Sequence, residues 1–324
     1  MTSLLEISGL NLNVRVEGTT HPILRDVSLH VERSEVVAIV GETGSGKTMT
    51  AKTVMGLLPK NAIIESGRVA FDGRDMLERG EASATRKKIA MVFQNPMSSI
   101  NPLFRVGDQM SDVLRWASDG KAPPGEERKD RMRRALEDAR CYEGGRILEM
   151  YPFQLSGGMR QRVMIAMALL RDPELMIADE PTTALDVTTQ REILDLLLEL
   201  SKKSRMSLML ITHNLGIAHE SSMRTYVMYA GRVVEDGETS KVFTGPLHPY
   251  TQGLVDSIPS LDRSRSMGSI QGEISQQDRE IAACCFSSRC PYVMDRCRVE
   301  RPALKELRLG QRVACFVAED KVKG

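Results

Sequence analysis

The stretch Gly41-Glu42-Thr43-Gly44-Ser45-Gly46-Lys47-Thr48 constrains this chain more than any other. It follows the apolar run Val36-Val37-Ala38-Ile39-Val40 and leads into a helix-prone segment ending near Leu58, so it reads as strand, loop and helix. Closely spaced glycines let the backbone curl until successive N–H groups face inward, and the helix start adds its positive dipole end. The result is a nest for phosphate oxygens. Lys47 would reach the β- and γ-phosphates of a nucleotide and Thr48 would ligate Mg²⁺, with residues 41–49 forming the binding loop.

A chain of 324 residues can bury a full α/β core around such a unit. Its 44 Lys and Arg residues against 43 Asp and Glu leave a net charge of +1, which gives no global field to draw in nucleic acid or acidic lipid. No apolar run approaches the roughly 18 residues of a membrane helix, and no basic-then-apolar leader opens the sequence. The expectation is a cytosolic protein, whose six cysteines are poor disulfide candidates.

Residues 4–16 and 23–31 alternate between apolar and polar and predict antiparallel strands joined by a loop at His21-Pro22. Residues 66–73 extend the same antiparallel element, and residues 88–93 form a short strand stopped by Pro96. Between Pro96 and Pro152 the spacing turns helical, over 105–117 and 126–139, which predicts a helical insertion. Ser156 is placed to cap a buried helix, and Ser156-Gly157-Gly158 before it makes a second anion site. Leu175-Met176-Ile177-Ala178 is a buried strand that delivers Asp179 and Glu180 at its C-terminal end, where open α/β sheets bind ligands. A helix follows with its apolar side at 193–200. Residues 207–212 form a strand ending on His213, and Tyr226 to Tyr229 with Arg232 to Val234 read as a hairpin that closes the sheet.

Asp179, Glu180 and His213 therefore fall at the ends of two buried strands, on the edge where the phosphate loop opens. Asp179 suits the water shell of the Mg²⁺ held by Thr48, and Glu180 can take a proton from the attacking water. Gln94, at its own strand end, can bridge that water or the metal. Taken in order, the phosphate loop, Gln94, Leu155-Ser156-Gly157-Gly158-Met159, Asp179-Glu180, Ala184-Leu185-Asp186 and His213 resemble the motif set of ABC-transporter ATPases. The stretches 93–102 and 228–235, with His248-Pro249-Tyr250-Thr251, are similar to the ATPase subunits of dipeptide, oligopeptide and nickel importers.

That resemblance implies a P-loop ABC ATPase core with an antiparallel β subdomain and a helical subdomain at about 96–155, together spanning 1–255. A small cysteine-rich extension would occupy 256–324. It implies ATP and Mg²⁺ as cofactors and a sandwich dimer, in which ATP lies between one subunit's phosphate loop and the Ser156-Gly157-Gly158 helix end of the other. It assigns Glu180 as general base, His213 as a γ-phosphate contact, Asp186 as a cross-dimer contact, and the Gln94 region as the contact to the membrane subunits. The implied partners are two transmembrane permease subunits, a second ATPase subunit and an external solute-binding protein, at the cytoplasmic face of the membrane, with no nucleic acid. Import of dipeptides or oligopeptides is the main reading; another solute such as nickel or a glycoside, or a non-transport ABC ATPase, is the alternative.

Two positions depart from the family. Val16 stands where relatives commonly stack an aromatic on adenine, and Met49 where many carry a hydroxyl residue near the α-phosphate. In the tail, Cys284, Cys285, Cys290, Cys297 and Cys315 are too irregular for a paired zinc ribbon. The Cys290-Pro291 pair together with four well-placed thiolates is closer to iron–sulfur ligation, with reduced packing thiols or structural zinc as the alternatives. The resemblance implies a [4Fe–4S] site, as in some family members, at Cys285, Cys290, Cys297 and Cys315; the loop-like character of the sequence beyond Asp256 makes 263–269 a flexible connector.

Overall fold

The structure, a computed structural model, describes residues 3–78, 81–118, 120–121, 123–183, 185–258 and 270–323. The expected connector at 263–269 and Ala184 lie outside them. The strands in chain order are β1 (Leu5–Val16), β2 (Thr19–Val31), β3 (Val36–Val40), β4 (Ala62–Phe71), β5 (Arg74–Asp75), β6 (Ile89–Val92), β7 (Leu175–Asp179), β8 (Ser207–Thr212), β9 (Arg224–Tyr229), β10 (Arg232–Glu238), β11 (Lys305–Arg308) and β12 (Gln311–Val313). Contacts divide the chain into two compact units: Met1–Glu32, Val36–Glu78 and Leu210–Gly324 form one, and Arg33–Glu35 with Arg79–Met209 form the other.

In the first unit β2, β1, β4 and β5 make an antiparallel sheet in that order. Leu5, Ile7, Leu10 and Leu12 of β1 are all buried, although the parity of the pattern changes between Ile7 and Leu10. A register shift at Gly9 absorbs the extra residue and returns the apolar side chains to the core face. The turn between β1 and β2 lies at Glu17-Gly18, where both residues have positive φ, and not at His21-Pro22. Those two pair within the ladder, opposite Val14 and Asn13. Pro22 is tolerated because β2 is the sheet's outer strand, where a missing N–H breaks no ladder.

β9 lies between β3, its parallel neighbour, and β10, its antiparallel one. The β9–β10 hairpin therefore does not close the sheet as its sequence suggested: β10 pairs onward with β12, and β12 with β11. These last two strands are short and polar, so they carry little periodic signal. Among the described residues, those beyond 256 fall in the same compact unit as β3 and β9. Cys284, Cys285, Phe286, Cys297 and Phe316 pack in the same apolar cluster as Ala38, Val40, Val227, Tyr229 and Tyr250.

In the second unit β6 and β7 form a parallel pair, from Ile89 opposite Leu175 to Val92 opposite Ala178. Both strands are buried along their whole length, which explains their unbroken apolar runs. Helices occupy Val106–Ala117 and Gly125–Asp138, within a residue of expectation, and the first buries Val106, Met110 and Leu114 at helical spacing. Gly144–Glu149 is a further helix whose six residues are too few to show a period. Gly157–Leu169 and Val187–Ser204 complete the unit's longer helices. Among the described residues, no helix is long and apolar enough to cross a membrane.

Candidate functional site

β3 runs straight into the phosphate loop, and the glycines are dictated by space as well as by φ. A Cβ on Gly41 would fall 2.2 Å from the Met228 carbonyl oxygen, and one on Gly46 would fall 2.8 Å from Leu24 Cδ2. Both glycines also have positive φ. Lys47 is only 4% exposed, and its ammonium donates to the carbonyls of Gly41 at 2.8 Å and Glu42 at 3.0 Å. Thus the lysine is already folded into the loop it serves. Thr48 and Met49 lie in the first turn of the helix Lys47–Met55, whose N-cap Gly46 has no side chain to satisfy the leading N–H groups. Those donors suit an oxyanion.

The loop is held by residues that sequence reading did not single out as its partners. The Glu42 N–H donates to the Tyr250 hydroxyl at 2.9 Å, and the Arg279 guanidinium donates to the Gly44 carbonyl at 3.0 Å. Arg289 reaches the Glu42 carboxylate with both terminal nitrogens, at 2.8 and 3.1 Å. One signal was present in the sequence: an acidic residue inside a phosphate nest calls for a cation. Val16, expected near adenine, is 48% exposed at the end of β1. His213 follows β8 and is exposed, while Asn214 caps the next helix by accepting from the Ile217 N–H.

In the second unit, Asp179 ends β7 with its side chain buried. Glu180 then turns sharply, with φ of 45°, a left-handed conformation that costs a non-glycine residue about 1–2 kcal/mol. Its carboxylate accepts from Gln94 Nε2 and from Thr183 Oγ1, each at 2.9 Å. The predicted base and the predicted water-bridging amide are therefore partners, with Thr183 as a member that no motif signalled. Ser156 does cap Gly157–Leu169, accepting from the Met159 N–H at 3.2 Å. Gly158 lies so close to the following long helix that a Cβ would meet Thr189 Cγ2 at 2.9 Å. Asp186 caps that helix by accepting from the Thr189 N–H, and these hydrogen bonds hold its carboxyl below the usual carboxylate range.

The cysteines differ from what the resemblance implies. All are free thiols; Cys284, Cys285, Cys297 and Cys315 are buried and Cys290 is half-buried. Burial pushes Cys285 and Cys315 up to about 11 and Cys284 to about 12. Among the described residues no group of three or more His, Cys, Asp or Glu is placed to hold a metal ion. As arranged, Cys285, Cys290, Cys297 and Cys315 do not fit an iron–sulfur cluster or zinc. Cys285 and Cys297, with Cys290 against them, pack in the cluster of Tyr229, Tyr250 and Phe286, and Cys315 packs with Leu247, Val313 and Ala318.

A nucleotide-binding protein of the P-loop class is what the β3 strand, its loop and the buried lysine define. The sequence matches the ABC transporter family over residues 24–183, and the oligopeptide/dipeptide transporter C-terminal region over residues 234–297. It is 39% identical over 322 residues to the dipeptide transport ATP-binding protein DppD of Escherichia coli, covering 98% of each chain. To the oligopeptide transport ATP-binding protein OppD of Salmonella typhimurium it is 40% identical, over 97% of this chain and 93% of that one. Among solved structures, CbiO1 of Clostridium perfringens, part of an ABC transporter complex, superposes with a TM-score of 0.64 at 28% identity, covering 76% of this chain and 92% of that one. The ATP-binding cassette MJ0796, a dimer with ADP and phosphate, gives 0.63 at 28% identity, over 72% and 98%. The chain belongs to the ABC-transporter ATPases, in the branch of dipeptide and oligopeptide transport ATP-binding proteins.

Proposed function

We propose that this chain binds and hydrolyses ATP to drive a membrane importer of dipeptides or oligopeptides. The observation that carries the reading is the phosphate loop itself, in which the buried Lys47 ammonium is seated on the Gly41 and Glu42 carbonyls at the start of the helix Lys47–Met55. In this reading Gly41 to Met49 wrap the phosphates, and Lys47 exchanges its carbonyl partners for β- and γ-phosphate oxygens. Thr48, Asp179 and Gln94 offer hard oxygen donors suited to Mg²⁺, which when bound screens the phosphate charge. With Gln94 Nε2 engaged by Glu180, the amide oxygen is the group left for the metal or the water. Glu180 accepts the proton of the attacking water. The bonds from Gln94 and Thr183 orient its carboxylate in the resting state. His213 donates to the γ-phosphate. An iron–sulfur cluster enters no step.

The same reading places the chain at the cytoplasmic face of the membrane, with two permease subunits, a second ATPase subunit and an external solute-binding protein. Residues 1–255 act as the ATP-binding domain, with 96–155 as the helical part that faces the permeases, and 256–324 as its extension. Ser156, Gly157 and Gly158 serve the nucleotide of the partner ATPase, and Asp186 lies at that contact. Glu180→Gln in the assembled complex should lower ATP turnover by at least about a hundredfold while ATP still binds. Unchanged turnover would end the hydrolytic reading. Stimulation of the wild-type ATPase by peptide-loaded binding protein, and not by a nickel- or glycoside-loaded one, tests the solute.

A further inference from the structure

Glu42 presents a physical problem that the nucleotide-binding reading does not resolve by itself. A carboxylate in the second position of a phosphate nest would repel a polyphosphate, and the nest's N–H groups cannot neutralise it. The compensating cation comes from far along the chain, 247 residues away: Arg289, set between Cys285 and Cys290, pairs with both Glu42 oxygens. The Arg289 side chain is only 7% exposed.

All five of its N–H donors are committed. Nε donates to the Gln271 carbonyl at 2.8 Å; one terminal nitrogen serves Glu42 and the Tyr229 hydroxyl at 3.4 Å; the other serves Glu42 and the Gly272 carbonyl at 2.8 Å. A guanidinium fixed at five points fixes its partner too. Glu42 is consequently held at three groups: its carboxylate by Arg289, its N–H by Tyr250 and its carbonyl by Lys47. Behind them Tyr229, Tyr250 and Phe286 form a three-ring cluster with centroids 4.8 to 5.5 Å apart, which joins the loop's supports to the cysteine-bearing segment. Arg279, from the same segment, makes the second hold, at Gly44.

We infer that Arg289 is a positioning residue for nucleotide binding, neutralising Glu42 and fixing the phosphate loop, so that the C-terminal segment sets the loop's affinity for ATP. The inference rests on the proposed ATPase reading. Arg289 touches no phosphate; it acts through Glu42. Lysine cannot replace it fully, because an ammonium has three donors and no fork.

The test is equilibrium titration of the full chain with a fluorescent ATP analogue and Mg²⁺, for wild type, Arg289→Ala, Arg289→Lys and Arg289→Ala/Glu42→Gln. Arg289→Ala should weaken binding about tenfold or more, and Arg289→Lys by less. The double variant should return to within about threefold of wild type, since no uncompensated carboxylate remains; loss of folding alone would not be rescued in this way. In the assembled complex, Arg289→Ala should raise KM for ATP while kcat stays within about twofold. Wild-type affinity in Arg289→Ala, or a double variant as weak as the single one, overturns the inference. A wild-type chain that binds no nucleotide overturns the ATPase reading beneath it.

Discussion

Val16→Tyr should tighten ATP binding by about 5- to 150-fold, because base–aromatic stacking contributes roughly 1–3 kcal/mol and the half-exposed end of β1 has room for a ring. An unchanged dissociation constant would mean that adenine lies elsewhere. His248 carries a different prediction. Buried and accepting from the Tyr250 N–H through Nδ1, it is held neutral, with its pKa pushed down by burial to about 3 from 6.5. The unfolded chain then binds the extra proton between those values, so this contribution is complete above about pH 6.5 and is lost as pH falls towards 3. Glu235 accepts from the His248 backbone N–H, and burial raises its pKa, which gives a slope of opposite sign. His248→Asn keeps a capping acceptor but removes the titration. Urea denaturation from pH 7 to 4 should therefore show a shallower acid-side loss in the variant. At this scale the sequence singles out Lys47, Thr48, Gln94, Asp179, Glu180 and His213 as candidates through short spacing. Arg289, Arg279 and Tyr250 escaped it, because a partner more than two hundred residues away leaves no local pattern.

Elements were legible wherever length gave periodicity room. The helices Val106–Ala117 and Gly125–Asp138, and strands β3, β6 and β7, follow their apolar patterns closely. The turn at Glu17-Gly18 was displaced in the reading because His21-Pro22 looks like a breaker until the outer position of β2 is known. The start of Gly157–Leu169 combines a cap and a close contact. Thr189 is pinned by its hydroxyl's 2.7 Å bond to Asp186, so it cannot swing its methyl away from a Cβ on Gly158. Gly158→Ala should cost about 1–3 kcal/mol, and Thr189→Ser, which removes the methyl, should recover most of it. Thermal melts of the two single variants and the pair measure the coupling directly.

For the whole molecule, the proposal that Ser156, Gly157 and Gly158 serve the partner ATPase's nucleotide separates binding from turnover. Gly157→Arg leaves the Ser156 cap in place, and Gly157 is exposed in this chain. The isolated chain should then bind the fluorescent ATP analogue within about twofold of wild type, whereas the assembled transporter should lose at least about tenfold in ATPase activity. Equal activity would show that this helix start does not complete a partner's site. The extension matters on the same scale. Cys284, Cys285, Cys297 and Phe286 belong to the apolar cluster that backs the phosphate loop.

By itself the sequence determined the nucleotide-binding loop, the strand-end carboxylates, the capped Ser-Gly-Gly helix start and the family. Each is a local pattern whose chemistry depends on neighbours within a few residues. Only the tertiary structure decided that Gln94 and Thr183 share the Glu180 carboxylate, that Cys284, Cys285 and Cys297 pack in the cluster with Tyr229 and Tyr250, and that Arg289 from far along the chain pairs with Glu42 inside the loop. The reason is physical: spacing along the chain fixes which groups share one turn or one strand end, but bringing charges together across hundreds of residues requires packing of the whole unit.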